Sequence, residues 1–216
     1  MSHFTERVVS QVHVADHPLV RHRLGLLRHK QTPCPQFRSL VYEIAQYLFY
    51  EAVRDLRTQP VIIPTPLADC PGEVIAERVG LIPVLRAGLG MADAMLDAMP
   101  EAAVWHLGLY RDHQTLKPVT YYNKLPADHG LDVALVIDPM LATGGSAIAA
   151  VDILKSARVP RVKFVGLIAA PEGVSAMQSA HPDVPLYLAA IDSHLNEIGY
   201  IVPGLGDAGD RQFGTC

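Results

Sequence analysis

The apolar positions of this chain switch between two periods. From Gln36 to Leu56 they recur at steps of three and four (Phe37, Leu40, Val41, Ile44, Leu48), which predicts a helix with Pro35 just ahead of it. Beyond it they gather into short runs: Val79–Leu85, Val104–Tyr110, Leu131–Ile137, Val162–Ala169 and Leu186–Ile191. Each run has the length of a strand. Helical spacing returns between them, in Met91, Ala94, Met95 and Ala98 before Pro100, in Ala147, Ala150, Val151 and Leu154 after Ser146, and in a short segment over Glu172–Ala180 opened by Pro171. Strands alternating with helices predict an α/β fold, a mostly parallel sheet flanked by helices on both faces. Continuous apolar runs suit strands buried on both sides. The stretch Arg111–His129, of mixed polarity and rich in Tyr, predicts a flap or hairpin.

No repeat, low-complexity tract or linker divides the 216 residues, so a single domain is expected. A domain of that size buries roughly 70% of its unfolded surface, and needs no disulfide or metal to hold it. Half of the residues are hydrophobic and 19% are charged, which excludes a disordered chain. The net charge of −4 advertises neither nucleic acid nor an anionic membrane as partner. Cys34, Cys70 and Cys216 are odd in number and scattered, as expected of a reduced, cytoplasmic chain. The segment Met1–Ser10 lacks the apolar run of a signal peptide, and no run approaches the ~20 residues needed to span a bilayer.

Three glycine-rich segments carry the chemistry. The first to weigh is Asp138-Pro139-Met140-Leu141-Ala142-Thr143-Gly144-Gly145-Ser146, which follows the buried run at 131–137. Glycines let a backbone approach a ligand and turn its amides inward, Thr143 and Ser146 add hydroxyls, and a helix opening behind them favours a phosphate monoester. Asp138, at the strand tip, is placed to accept from sugar hydroxyls or to help hold a metal. The plain alternative is a strand-to-helix turn capped by Thr143 or Ser146. No Lys follows the glycines, so this is not a Walker loop. The second segment, Arg86-Ala87-Gly88-Leu89-Gly90, can present a guanidinium and amides to one anion, or hold Arg86 in a salt bridge. The third, Gly199 to Arg211, has four glycines and Pro203 within eleven residues, which argues against a regular element and for a shaped loop. Its Ile201, Val202 and Leu205 are apolar residues that a free tail would not need.

The Asp138–Ser146 string resembles the phosphoribosyl diphosphate (PRPP) loop of type I phosphoribosyltransferases, and its Asp-Pro-Met-Leu-Ala-Thr-Gly-Gly-Ser form is similar to the uracil phosphoribosyltransferases in particular. Arg86-Ala87-Gly88-Leu89-Gly90, Tyr200 to Asp210, His17-Pro18-Leu19-Val20, Tyr50-Glu51-Ala52, Ala170-Pro171-Glu172-Gly173 and Leu195-Asn196-Glu197 extend the resemblance over nearly the whole chain. Pro139 stands where many members of the wider fold carry a second acidic residue, Thr120 where many have a proline, and the stretch Pro64–Glu77 matches too poorly to be given a role.

What the resemblance implies is specific. The fold would be that of type I phosphoribosyltransferases, with an N-terminal helical arm at about 17–57, a PRPP-binding core at about 60–192 and a C-terminal base-binding loop at about 193–216. The activity would be the transfer of phosphoribose from PRPP to N1 of uracil, giving UMP and pyrophosphate. Arg86 and Arg111 would contact pyrophosphate, Asp138 through Ser146 would hold PRPP, and Ile201, Gly206, Asp207 and Ala208 would line uracil. Asp207 would also bear on PRPP through metal or water, with Mg2+ held mainly by PRPP itself. A loop of amides suits uracil, whose N3–H needs an acceptor and whose O2 and O4 need donors, and a pocket paired to those edges rejects cytosine. A homodimer or higher homo-oligomer is implied, and GTP enters as an allosteric ligand on which the sequence is silent. The alternative from another class is a regulator that keeps the PRPP pocket and binds RNA, against which the net charge and the complete third segment argue.

Other residues take plainer readings. His13 and His17 are four apart like zinc ligands on a helix, but Pro18 follows and no third ligand stands near. Cys216 has no base beside it in sequence, and Lys117 and Lys124 read as a solvated face.

Overall fold

Along Val133–Ile137 the side chains of Val133, Leu135 and Ile137 enter one buried cluster, while Ala134 and Val136 enter another. A strand whose successive side chains point to opposite faces can be apolar throughout only if both faces are covered. The computed structural model describes residues 12–111 and 118–215 and shows both coverings.

In chain order the elements are β1 (Val12–Val14), α1 (Pro18–Arg28), α2 (Cys34–Ala52), β2 (Thr58–Pro64), β3 (Asp69–Ile75), β4 (Val79–Leu85), α3 (Leu89–Ala98), β5 (Ala103–Val104), β6 (Leu107–Arg111), β7 (Pro118–Asn123), β8 (Val133–Ile137), β9 (Met140–Leu141), α4 (Gly145–Ser156), β10 (Arg161–Ala169), α5 (Pro171–Ala180), β11 (Leu186–Ile191), β12 (His194–Leu195), β13 (Ile201–Val202) and α6 (Ala208–Phe213). Among the described residues the main sheet runs β1-β11-β10-β8-β4-β6-β7, with β5 on β4 and β9 on β10. Every pairing in it is parallel except β6 with β7. One face packs on α1, α2, α3 and the start of α6, and the other on α4 and α5.

The predicted strands and helices are present, with three differences. The run expected as one strand over 104–110 is two, because β4 takes up β5 at Gly80–Leu81 and β6 only at Val84–Leu85, with Trp105 and His106 between them. The stretch 64–77, given no role, forms most of an antiparallel hairpin: β2 pairs with β3 from Thr58↔Ile75 to Pro64↔Asp69, turned by Thr65, whose Oγ1 donates to Ala68 O at 2.6 Å. The glycine-rich segment 199–211 is not wholly irregular. Ile201–Val202 pairs with His194–Leu195, and α6 begins at Ala208, where Asp207 caps it by accepting from the Asp210 amide at 2.9 Å. Gly199, Gly204 and Gly206 lie between these pieces, while Gly209 lies within α6.

β7 realises part of the expected flap; Lys117 lies outside the described residues, as does Cys216. His13 sits in β1 and stacks on Tyr187 at 4.7 Å, whereas His17 caps α1, so the two never share a helix. Lys124 Nζ lies 5.8 Å from the Tyr122 ring.

Candidate active site

Parallel register fixes where the three segments meet. Pro83 pairs with Ile137 and Leu85 with Gly108, so β8 ends two residues short of β4, and β6 runs three residues further to Arg111. The residues that follow them emerge at the carboxyl edge of the sheet, where ligands bind in open α/β folds. Arg86 and Asp138 stand one residue past β4 and β8, and the Arg111 backbone ends β6 on the same edge.

The first segment turns sharply under β8. The Leu85–Arg86 peptide is cis, and the Gly88 amide donates back to Val84 O at 2.9 Å. A Cβ at Gly88 would strike the Ile137 carbonyl, so only glycine lets this loop lie against the end of β8. The turn leads straight into α3 and leaves the Arg86 side chain more than half exposed, with Nη2 3.0 Å from Asp210 Oδ1 and the guanidinium 5.8 Å from the Phe213 ring. The salt bridge considered for Arg86 is therefore present, and its partner belongs to the third segment.

Asp138 opens the second segment. Its amide donates to Val165 O at 3.2 Å, and its carboxylate accepts from the Met140 amide at 3.3 Å. Burial pushes its pKa up to about 7; the Met140 amide pulls the other way, and the neighbouring Asp207 carboxylate adds to the rise. Pro139 O accepts from the Leu167 and Ile168 amides at 2.9 and 3.0 Å, which turns the chain onto β10 as β9. Ala142 to Gly144 then lead into α4, whose N-cap is Gly144 at φ 83°. The cap position is thus held by Gly144 and not by Thr143 or Ser146. The loop rests on α5, where a Cβ at Gly173 would collide with the carbonyls of Leu141 and Ala142.

The third segment closes the site from the other side. Ile201, Leu205 and Ala208 are buried in the cluster that holds Ile137, with Ala87, Met140 and Ala142 packed against it. Of the three apolar residues that seemed unneeded by a tail, Ile201 and Leu205 are thus core, and Val202 is half-buried outside both clusters. Val202–Pro203 is cis, and Gly204 (φ 65°) presses on Ile201 O. Two arginines fix this loop to the end of α1. Arg28 donates to Asp192 at 2.7 Å and to Gly204 O at 2.8 Å; Arg211 donates to the carbonyls of Leu27, Leu205 and His29 at 2.7–3.0 Å and lies 4.4 Å from the Phe37 ring. Sequence reasoning passed over both, since nothing in the local pattern marks an arginine whose partners are far away in the chain.

The structure thus brings Arg86, Asp138–Ser146 and Ile201–Ala208 to one place, and Arg111 to the same edge by its backbone. Among the described residues no group of three or more His, Cys, Asp or Glu could enclose a metal ion, and no helix is long and apolar enough to cross a membrane.

Residues 14–215 match the family model described as uracil phosphoribosyltransferase. The uracil phosphoribosyltransferase of Roseiflexus castenholzii is 63% identical over 96% of this chain and all of its own length. That of Geobacillus kaustophilus is 54% identical, with the same coverage. The AQ2163 protein of Aquifex aeolicus superposes with a TM-score of 0.89 at 33% identity, over 94% of this chain and 98% of its own. A hypoxanthine phosphoribosyltransferase of Staphylococcus aureus shares the fold at a TM-score of 0.50 and 12% identity, over 72% of this chain and 74% of its own.

Proposed function

The chain belongs to the uracil phosphoribosyltransferase family, and from that premise we propose how its residues divide the conversion of uracil and PRPP into UMP and pyrophosphate. The reaction is one of pyrimidine salvage: a bond forms from N1 of uracil to the anomeric carbon of PRPP as the bond to pyrophosphate breaks. Positive charge develops on the sugar and negative charge on the leaving group, so catalysis depends on alignment and electrostatic stabilisation.

The observation that carries the assignment of roles is the convergence of the three glycine-rich segments at the carboxyl edge of β4 and β8. Arg86 and Arg111 hold the pyrophosphate, for which a guanidinium offers charge and paired donors. The Thr143–Ser146 amides at the start of α4, capped only by Gly144, hold the 5-phosphate. Pro139, Met140, Leu141 and Ala142 form the wall along which PRPP lies. Asp138 accepts from the ribose hydroxyls, and its raised pKa marks a carboxylate short of partners, which donor hydroxyls and a cationic sugar would supply. Ile201, Gly206, Asp207 and Ala208 receive uracil and direct N1 at the anomeric carbon.

Magnesium fits this donor set as an ion brought in by substrate: no protein cage for it exists among the described residues, while Asp207 offers a carboxylate, directly or through water, beside Asp138. When bound it supplies positive charge to the diphosphate.

The same reading makes the chain a cytoplasmic homo-oligomer, at least a dimer. Support comes from the β2–β3 hairpin, which pairs with no other strand among the described residues and exposes Ile62, Ile63, Leu67, Val74 and Ile75. A lone hairpin is marginal in water, and an apolar one calls for a partner surface. GTP enters this proposal as an allosteric ligand, and a rate measured with and without it decides whether it activates.

Formation of UMP from labelled uracil, PRPP and magnesium tests the function, with cytosine, adenine and hypoxanthine in parallel. Uracil alone should react. Turnover of another base would keep the fold and overturn the assignment of the third segment. No turnover, with PRPP still bound, would favour the RNA-binding regulator instead.

A further inference from the structure

Gln212 is a polar side chain buried in the core, 1% exposed, that the division of roles above leaves without a task. It lies near the end of α6 and donates from Nε2 to two backbone carbonyls, Ala87 O at 2.9 Å and Ala208 O at 3.0 Å. Ala87 follows Arg86 in the first segment; Ala208 belongs to the third. Its Oε1 faces Gly90, where a Cβ would collide with it. The bond to Ala208 lies within α6, four residues back, while the bond to Ala87 crosses 125 residues of chain, so one amide ties the helix that opens at Ala208 to the first segment. Packing alone does not ask for this residue, since Leu or Met fills the same volume, and a buried amide is unfavourable unless its hydrogen bonds are made. Asp210, two residues earlier, holds the Arg86 guanidinium. Helix α6 thus grips the first segment both by its side-chain charge and by its backbone.

We propose that Gln212 is a positioning residue that couples the pyrophosphate loop to the base loop, so that filling either substrate site favours filling the other. The proposal rests on the functional reading above, which places pyrophosphate at Arg86 and uracil at Gly206–Ala208. Both segments are glycine-rich; the bond from Gln212 to Ala87 O fixes the backbone of the first against α6, which opens at Ala208 where the third segment ends. A ligand that orders one loop then lowers the cost of ordering the other, and the coupling is reciprocal.

Calorimetry on the full chain tests this with UMP as one probe and magnesium pyrophosphate as the other. The quantity read is the ratio of UMP affinities with and without saturating magnesium pyrophosphate. Gln212→Met keeps the bulk and removes both donors; Gln212→Asn keeps the amide but is one methylene too short to reach both carbonyls, and decides the matter if the first variant does not fold. The ratio should fall toward one by about threefold or more in either variant, within the range by which single residues modulate coupling. A ratio equal to wild type would overturn the proposal even if the melting temperature drops, because a merely structural amide would do just that. A wild-type ratio of one would overturn it as well. A wild-type chain that forms no UMP in the assay above would instead defeat the functional reading, and the two failures are told apart by that assay.

Discussion

Asp138 holds a carboxyl at the tip of β8, where it accepts from the Met140 amide. Its carboxyl titrates near 7 in the folded chain against 3.8 in the reference state, and burial is the main cause. Between those values the folded chain keeps a proton that the unfolded chain has lost. Stability without substrate is therefore greatest at the acid end of that window and declines as pH rises through it. Asp138→Asn keeps an acceptor for the Met140 amide and removes the charge. Thermal unfolding of the substrate-free variant should exceed wild type by about 1–4 kcal/mol at pH 8, with the gap closing toward pH 4. UMP formation should fall about tenfold or more at the same time, as expected for a contact made in the transition state. Near-normal turnover would remove Asp138 from the site. Arg86→Ala tests the opposite charge. The KM for PRPP and the inhibition constant of pyrophosphate should both rise about tenfold or more, the loss expected of a charge-assisted contact, with uracil much less affected. Equal losses for all three ligands would mean that the loop has collapsed. Because the Arg86–Asp210 pair is exposed, melting should hardly change.

Where the β4–α3 turn meets the end of β8, backbone lies against backbone, which makes Gly88 a sensitive point. The turn between β4 and α3 lies against the last carbonyl of β8, and the bulk of one methyl at Gly88 would press on Ile137 O and on the backbone of Val84. Its φ of −70° suits any residue, so the obstacle is contact, not conformation. Gly88→Ala should destabilise the chain by about 1–3 kcal/mol, since an overpacked site must shift its neighbours. Chemical denaturation measures that cost, and the KM for PRPP should rise with it; an unchanged KM would mean that Arg86 does not depend on this turn.

For the whole molecule, the β2–β3 hairpin is the feature that one chain leaves unfinished. Among the described residues Leu67 is 98% and Ile62 68% exposed. Replacing both with Asp should shift the mass read by sedimentation from dimer to monomer while far-UV dichroism stays the same; a wild-type chain already monomeric at micromolar concentration would refute the assembly. The alternation of strand and helix and the place of the glycine-rich loops were legible in the sequence, because apolar period and glycine spacing are local properties of neighbouring residues. The strings from Asp138 to Ser146 and from Tyr200 to Asp210 likewise carried the resemblance that the family match over residues 14–215 bears out. Other features were not legible. Gln212 on Ala87, Arg28 on Asp192 and Gly204, Arg211 on Leu27, and the pairing of Arg86 with Asp210 all join residues more than a hundred positions apart or across separate elements. Residues 64–77 follow no core-facing period because most of the hairpin they help to form packs on no core of this chain. Which segments become strands, helices and glycine-rich loops follows from neighbouring residues, since burial and backbone freedom act over a few positions. Which loops touch, which charge sits beside which, and that α6 packs on the first segment follow from the folded arrangement, since those distances exist once the sheet has brought its carboxyl ends to one edge.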